Sequence, residues 1–96
     1  MSDVPARYDL RLAGPARRAL AEKLAAAAAF AAWEFCDGPL RDNPYRVGHP
    51  LRAPFEGCWT AKRGTYRVRY QIDDTTRTVT VLDIAGRADA YYPGRA

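Results

Sequence analysis

One stretch in the second half of the chain alternates apolar and polar residues without a break: Tyr66-Arg67-Val68-Arg69-Tyr70-Gln71-Ile72-Asp73. Neighbouring side chains of a strand point to opposite faces of a sheet, so this period of two predicts a half-buried β-strand. Its apolar face should pack against other elements, and the face that carries Arg67 and Arg69 should stay open. These eight residues therefore decide both the fold and the place to look for a site.

The regions on either side of this stretch predict two further strands. Cys58 to Arg63 and Thr78 to Arg87 are both rich in β-branched and aromatic residues. Gly64 marks a turn before the central strand, and the pair Asp73-Asp74 marks a turn after it. We expect three strands joined by two hairpins in an antiparallel meander.

The first half of the chain predicts one more strand and a helical segment. Arg7 to Leu12 alternates like a strand, and Pro15 to Phe35 consists almost entirely of good helix formers. The polar step Glu22-Lys23 is its only interruption and contains no Gly or Pro, so we favour two packed helices over one long helix. The alanine run from Ala25 to Ala29 permits close packing within the fold, with a small-residue dimer seam as the alternative.

The stretch from Asp37 to Pro54 is dense in glycine and proline, which predicts an ordered connecting loop without long regular structure. The order is then strand, helical hairpin, loop and three-strand meander. We expect an α+β fold of two layers, with helices on one side of a mostly antiparallel sheet. The length of 96 residues suits one domain, residues 1–96.

The charge distribution points to a polyanionic partner. The chain carries 15 Lys and Arg against 11 Asp and Glu, a net charge of +4. Four cations and no acidic residue lie between Thr60 and Tyr70: Lys62, Arg63, Arg67 and Arg69. This local positive field predicts binding of nucleic acid.

Several classes of site are excluded or disfavoured by the residues present. Cys36 and Cys58 lack the spacing of a zinc site, so we expect two free thiols, no metal and no cofactor. A single histidine, His49, cannot form a catalytic histidine pair, and we expect it to be structural. The polar N-terminus and the short apolar run from Leu24 to Trp33 predict neither a signal peptide nor a membrane span, hence a cytoplasmic protein.

Arginines on the open sheet face are the remaining candidates for chemistry. A guanidinium group gives phosphate two charge-assisted hydrogen bonds, and Arg67 and Arg87 fall on neighbouring strands. Together they would stabilise charge on a scissile phosphate attacked by a ribose 2′-hydroxyl. Tyr91 or Tyr92 is the candidate proton acceptor, its pKa lowered by nearby guanidinium groups. The alternative is that Arg67 and Arg69 form only the solvated face of a strand.

Three ordered segments resemble the RelE/ParE toxin superfamily, in particular actinobacterial RelE-like proteins. They are NPYRVGHPL at residues 43–51, EGCWTAKRGTYRVRYQID at 56–73 and IAGRADAY at 84–91. The resemblance implies a toxin of a type II toxin-antitoxin pair that enters the ribosomal A site and cuts mRNA without a metal. Arg67, Arg87 and Tyr91 match the family's functional residues, and Lys62, Arg63, Arg69 and Tyr92 would bind RNA.

The resemblance also implies a cognate antitoxin, RelB-like or Phd/YefM-like, whose helical segment covers the toxin, for example in a heterotetramer. One departure matters, because Gly86 stands where many relatives carry histidine, and glycine cannot transfer a proton. Two alternatives therefore stay open. One is a ParE-like inhibitor of gyrase, and the other is an inactive relative that binds only its antitoxin.

Overall fold

The computed structural model describes residues 7–86. Its elements follow in this order: β1 (Asp9–Leu12), α1 (Gly14–Arg18), a π-helical turn (Ala19–Lys23), α2 (Ala26–Asp37), α3 (Pro39–Asp42), β2 (His49–Pro50), β3 (Trp59–Arg63), β4 (Tyr66–Asp73) and β5 (Thr78–Gly86). The predicted order and the α+β class are confirmed. The predicted loop additionally contains the short α3 and the two-residue β2.

The five strands form one sheet in the order β1-β5-β4-β3-β2. The pairs β5–β4, β4–β3 and β3–β2 are antiparallel, whereas β1 runs parallel to β5, with Asp9 opposite Thr78. A parallel pair requires a crossover connection, which the helices and the other strands provide here. The central position of β4 agrees with its clear alternation in the sequence.

The helical segment is divided into two pieces rather than forming one long helix, as favoured from the sequence. Leu24 and Ala25 have extended backbone, with ψ angles of 144° and 153°, so the helix is interrupted directly after Glu22 and Lys23. The Leu24 side chain is 1% exposed, and its N–H donates to the carbonyl of Ala19. Insertion of leucine into the core explains a break without glycine or proline.

The core lies between the helices and one face of the sheet. On β4, Tyr66, Val68 and Tyr70 are buried, whereas Arg67 is exposed. Small helical residues let the helices approach the sheet closely, and four of them are buried: Ala16, Ala19, Ala28 and Ala32. Of the run from Ala25 to Ala29, Ala28 packs in the core, whereas Ala26 and Ala27 are exposed.

An irregularity between β4 and β5 decides which way one carboxylate points. Arg69 is opposite Asp83 while the next residue, Tyr70, is opposite Val81, so Leu82 is an extra residue in β5. A simple alternation from Val81 would turn Asp83 towards the helices. The bulge instead places Asp83 on the open face and buries Ile84.

Candidate functional site

Lys62 and Arg67 form the centre of the open sheet face. They are direct partners across the antiparallel pair of β3 and β4, and both are exposed. Opposed residues of such a pair have Cβ atoms about 5 Å apart, so two positive charges share one small area. Within residues 7–86, neither the ammonium group of Lys62 nor the guanidinium group of Arg67 has a hydrogen bond or ion pair.

A shallow pocket of about 260 Å³ lies beside Arg67 at the turn between β3 and β4. Its lining residues are Lys62, Gly64, Thr65, Tyr66, Arg67, Ala85 and Gly86. Ala85 is the β5 partner of Arg67, and its small side chain leaves space next to the guanidinium group. The pocket is therefore open, positive and accessible to an anion.

Arg69 lies on the same face but has a different environment. Its Nη2 is 2.5 Å from Oδ2 of Asp83, and its guanidinium carbon lies 5.8 Å from the centre of the Phe55 ring. The carboxylate neutralises this arginine, whereas Arg67 keeps its full charge. Of the two, Arg67 is the better phosphate ligand.

Arg63 is not brought together with the other cations. It is opposite Tyr66 and therefore lies on the face that the helices cover. Its guanidinium group lies 4.8 Å from the centre of the Phe35 ring and donates to the carbonyl of Val47 at 3.0 Å. These contacts give Arg63 a packing role, and its predicted contact with RNA remains a prediction.

Three of the predicted site residues, Arg87, Tyr91 and Tyr92, lie outside the described residues. Their roles stay predictions. Arg87 directly follows Gly86, the last described residue of β5 and part of the lining of the pocket beside Arg67.

Asp73, the last residue of β4, and Asp74 begin the turn between β4 and β5, as predicted. Asp73 Oδ1 accepts from the N–H groups of Thr75 and Thr76 at 2.9 and 3.2 Å. The Asp74 carboxylate accepts hydrogen bonds from the hydroxyls of Tyr8 and Tyr45. These bonds lower the pKa of Asp74 and raise that of Tyr45 to about 12. The described part of the chain contains no cluster of metal-ligating side chains.

Both cysteines are free thiols, as predicted. Cys36 is buried, and its desolvation raises the pKa of the thiol to about 12. Cys58 is half-buried. His49 is exposed, lies opposite Thr60 in the β2–β3 pair and lines a second pocket on the open face.

Sequence reasoning did not select Thr60, Phe55 or Asp83, which line this second pocket together with Arg67 and Arg69. Asp83 was hidden by the bulge at Leu82, which strand alternation does not reveal. Phe55 lies in the breaker-rich region, where no periodicity indicates its direction.

In the described part of the chain, no helix is long and apolar enough to cross a membrane.

Comparison with known proteins identifies the family. Residues 6–91 match the family model of the ParE toxin of the type II toxin-antitoxin system parDE. Toxin RelG of Mycobacterium tuberculosis is 45% identical over 84 residues, covering 88% of this chain and 95% of RelG. Toxin RelE of the same organism is 49% identical over 72 residues, covering 75% of this chain and 70% of the relative. The chain belongs to the RelE/ParE toxin superfamily.

Solved structures of RelE toxins agree with this assignment. The toxin-antitoxin complex RelBE2 from M. tuberculosis contains a chain with a TM-score of 0.82 and 41% identity, covering 85% of this chain and all of that one. A mutant of E. coli toxin RelE in the free state has a TM-score of 0.68 at 19% identity, covering 88% of each chain, and supports the fold alone. This RelE/ParE-superfamily member is thus a type II toxin with a RelE-like fold.

Proposed function

We propose that this toxin is a ribosome-dependent endoribonuclease that cleaves mRNA in the ribosomal A site, and that it acts in the cytoplasm. The observation that carries the proposal is Arg67, an exposed guanidinium group without an ion partner among residues 7–86. It lies directly opposite Lys62 and beside a pocket whose lining includes the small residues Gly64, Ala85 and Gly86. Two unneutralised cations in one place suit a phosphodiester better than a protein surface, where charges are usually paired.

In the proposed reaction, the ribose 2′-hydroxyl attacks the neighbouring phosphorus, a new 2′-O–P bond forms and the P–O5′ bond breaks. Negative charge develops on the non-bridging phosphate oxygens, and Arg67 stabilises it through two hydrogen bonds in a fixed geometry. Arg87, which follows the pocket residue Gly86 in the sequence, would supply a second guanidinium group. The leaving 5′-oxygen takes a proton from solvent, and the products are a 2′,3′-cyclic phosphate and a 5′-hydroxyl group.

The proton of the 2′-hydroxyl needs an acceptor, and Gly86 cannot provide one. We assign this role to Tyr91, with Tyr92 as the neighbouring alternative. Two adjacent guanidinium groups favour tyrosinate and so lower the pKa of a tyrosine from about 10. Lys62 would hold the RNA backbone across from Arg67.

The proposed partner that keeps the toxin inactive is a cognate antitoxin of the RelB-like or Phd/YefM-like type. Support comes from the RelBE2 toxin-antitoxin complex, whose matched chain is covered completely by this one. Phe30 and Trp33 on α2 are 64% and 40% exposed and, with Arg7 and Asp37, line a pocket of about 340 Å³. An exposed apolar surface of this kind suits an amphipathic helix.

A second candidate function is inhibition of gyrase, favoured by the description of the matching family model as a ParE toxin. Such a toxin would act by binding and would cause DNA damage rather than rapid loss of translation. The exposed Arg67 and the retained Tyr91 favour the nuclease.

The test is induction of the wild-type chain in a bacterial host without antitoxin, followed by mapping of 5′ ends on translated mRNA. We expect position-specific cuts within A-site codons, absent from the Arg67→Ala, Arg87→Ala double mutant. Arg17→Ala, which removes an exposed arginine from α1, is the matched control and should cut like wild type. Growth arrest with intact mRNA and DNA damage would instead establish gyrase inhibition, and harmless expression would indicate an inactive relative.

A further inference from the structure

The open sheet face carries a second pocket, of about 370 Å³, in addition to the one at the β3–β4 turn. It is lined by His49, Leu51, Phe55, Thr60, Lys62, Arg67, Arg69 and Asp83. Lys62 and Arg67 belong to both pockets. A ligand whose phosphate binds Arg67 at the first pocket can therefore extend a neighbouring group into the second.

Two residues that line this second pocket each carry a buried polar atom without a hydrogen-bond partner. Within the described residues they are the hydroxyl oxygen of Thr60 and Nε of Arg69. Thr60 is only 4% exposed. Buried polar groups in proteins almost always have partners, so two orphaned groups on residues lining one pocket indicate that a ligand supplies them.

The side chain of Phe55 gives the pocket a flat apolar wall. It is 49% exposed, and the guanidinium group of Arg69 lies 5.8 Å from the ring centre. Exposed aromatic rings and arginine planes are the surfaces on which unpaired bases stack in complexes with single-stranded RNA. The wall therefore fits a nucleobase better than a sugar or a second phosphate.

The polar groups of the pocket favour some bases over others. Asp83 uses Oδ2 in its ion pair with Arg69, and Oδ1 has no hydrogen-bond partner among residues 7–86 and can act as an acceptor. An ionised carboxylate only accepts hydrogen bonds, so it matches the exocyclic amine of adenine, cytosine or guanine. At the corresponding position uracil presents a carbonyl oxygen, which the carboxylate repels.

We infer that this pocket binds the base of the nucleotide next to the scissile phosphate, and that Asp83 selects bases with an exocyclic amine over uracil. Phe55 provides the stacking surface, and Thr60 and Arg69 complete the hydrogen bonds to the base edge. The role in codon choice rests on the proposed cleavage activity, but binding of the base does not. Phe55, Thr60 and Asp83 are then residues that determine specificity.

The first test measures binding without cleavage. The wild-type chain is titrated with 2′-O-methylated trinucleotides of adenosine, cytidine or uridine, and NMR follows the Nε–H signal of Arg69. We expect the adenosine and cytidine trinucleotides to bind about five-fold more tightly than the uridine trinucleotide. Equal affinity for all three would overturn the inference.

Two variants and one control sharpen this measurement. Phe55→Ala should weaken binding of all three trinucleotides by about five-fold or more, because stacking is tolerant of sequence. Asp83→Asn should make the affinities for the three trinucleotides similar, because an amide both donates and accepts hydrogen bonds. Arg17→Ala removes an exposed side chain from α1, away from both pockets, and should leave all three affinities unchanged. Unchanged affinities in both pocket variants would show that the base lies elsewhere.

The second test compares mapped mRNA cuts from wild type and Asp83→Asn. We expect the variant to cut at uridine-containing positions that the wild type avoids. Cleavage with an identical base preference in both proteins would refute the role in codon choice while leaving the proposed nuclease intact. Selective binding of trinucleotides without any cleavage in cells would refute the proposed nuclease activity but would still support base binding in the pocket.

Discussion

The two faces of the β3–β4 hairpin carry the same residue type for different purposes. Arg67, on the open face, has no ion partner among residues 7–86 and borders both pockets. Arg63, four residues earlier on the covered face, packs over Phe35 and donates to backbone carbonyls. The phase of a strand, rather than the type of residue, therefore decides whether an arginine is available to a ligand.

The largest expected effect on stability comes from crowding the covered face at Gly48. A Cβ there would lie 2.4 Å from the hydroxyl oxygen of Tyr70 and 2.5 Å from the carbonyl oxygen of Thr60. We expect Gly48→Ala to lower the free energy of unfolding by about 3 kcal/mol, measured by urea denaturation. Gly14→Ala is the control, because its Cβ would meet only the flexible Arg18 side chain at 3.4 Å. Equal stabilities of the two variants would contradict the close approach.

The next effect concerns the hydrogen bond at the same place. The Tyr70 hydroxyl donates to the carbonyl of Pro44 at 2.6 Å, which joins the covered face of β4 to the long loop. Tyr70→Phe leaves this buried carbonyl without its donor and should cost about 1–2 kcal/mol in urea denaturation. RNA cleavage by the folded variant should persist, since Tyr70 lies away from the open face. A variant as stable as wild type would mean that the bond contributes nothing.

Alanine substitutions of Arg63 and Arg67 test whether the two arginines have different roles. Arg63→Ala should lower the free energy of unfolding by about 1 kcal/mol, because it loses the contact with Phe35 and two hydrogen bonds. Arg67→Ala should change stability by less than about 0.5 kcal/mol and reduce cleavage by about 10²–10³-fold. Urea denaturation and the rate of mRNA cleavage measure the two effects. A loss of stability in Arg67→Ala together with a loss of cleavage in Arg63→Ala would contradict these separate roles.

The smallest effect is the pH dependence of stability at the far end of the sheet. Hydrogen bonds from Tyr45 and Tyr8 hold the pKa of Asp74 below its ordinary 3.8, so their stabilisation is present above about pH 4 and is lost as the pH falls further. The pKa of Tyr45, raised to about 12, makes this stabilisation fall again as the pH rises above about 10.

The measurement is urea denaturation of wild type and Asp74→Asn at several pH values. Wild type should be the more stable protein at pH 7, and the difference should shrink in strong acid, where the carboxylate is protonated. A difference that stays constant down to pH 2 would show that the charge on Asp74 is irrelevant.

Strand alternation predicted the sheet because burying one face of a strand fixes which of its side chains point to the core and which point to solvent. Tyr66, Val68 and Tyr70 are buried and Arg67 is exposed, as expected. The same alternation separates Lys62 from Arg63, although the two were predicted to bind RNA together. Applying the period of two to β3 would have assigned them to opposite faces.

Other features had no local signal in the sequence. The strand β2 consists of two residues, one of them proline, and exists only because it pairs with β3. The bulge at Leu82 depends on the register between β4 and β5, which no single strand specifies. Consequently the pocket that contains Asp83 emerges from tertiary pairing, whereas Arg67 was identifiable from its own strand.

The parallel pairing of β1 with β5 also controls when the toxin becomes complete during synthesis. Residues 9–12 leave the ribosome early, but their partners are residues 78–81. The edge of β1 therefore stays unpaired while most of the chain is translated. Pairing between residues so far apart in sequence is slow. Asp83 is made later still, after Arg67 and Lys62. A nascent chain thus carries Lys62 and Arg67, which pair through the local β3–β4 hairpin, before β5 adds Asp83 and joins the sheet to β1.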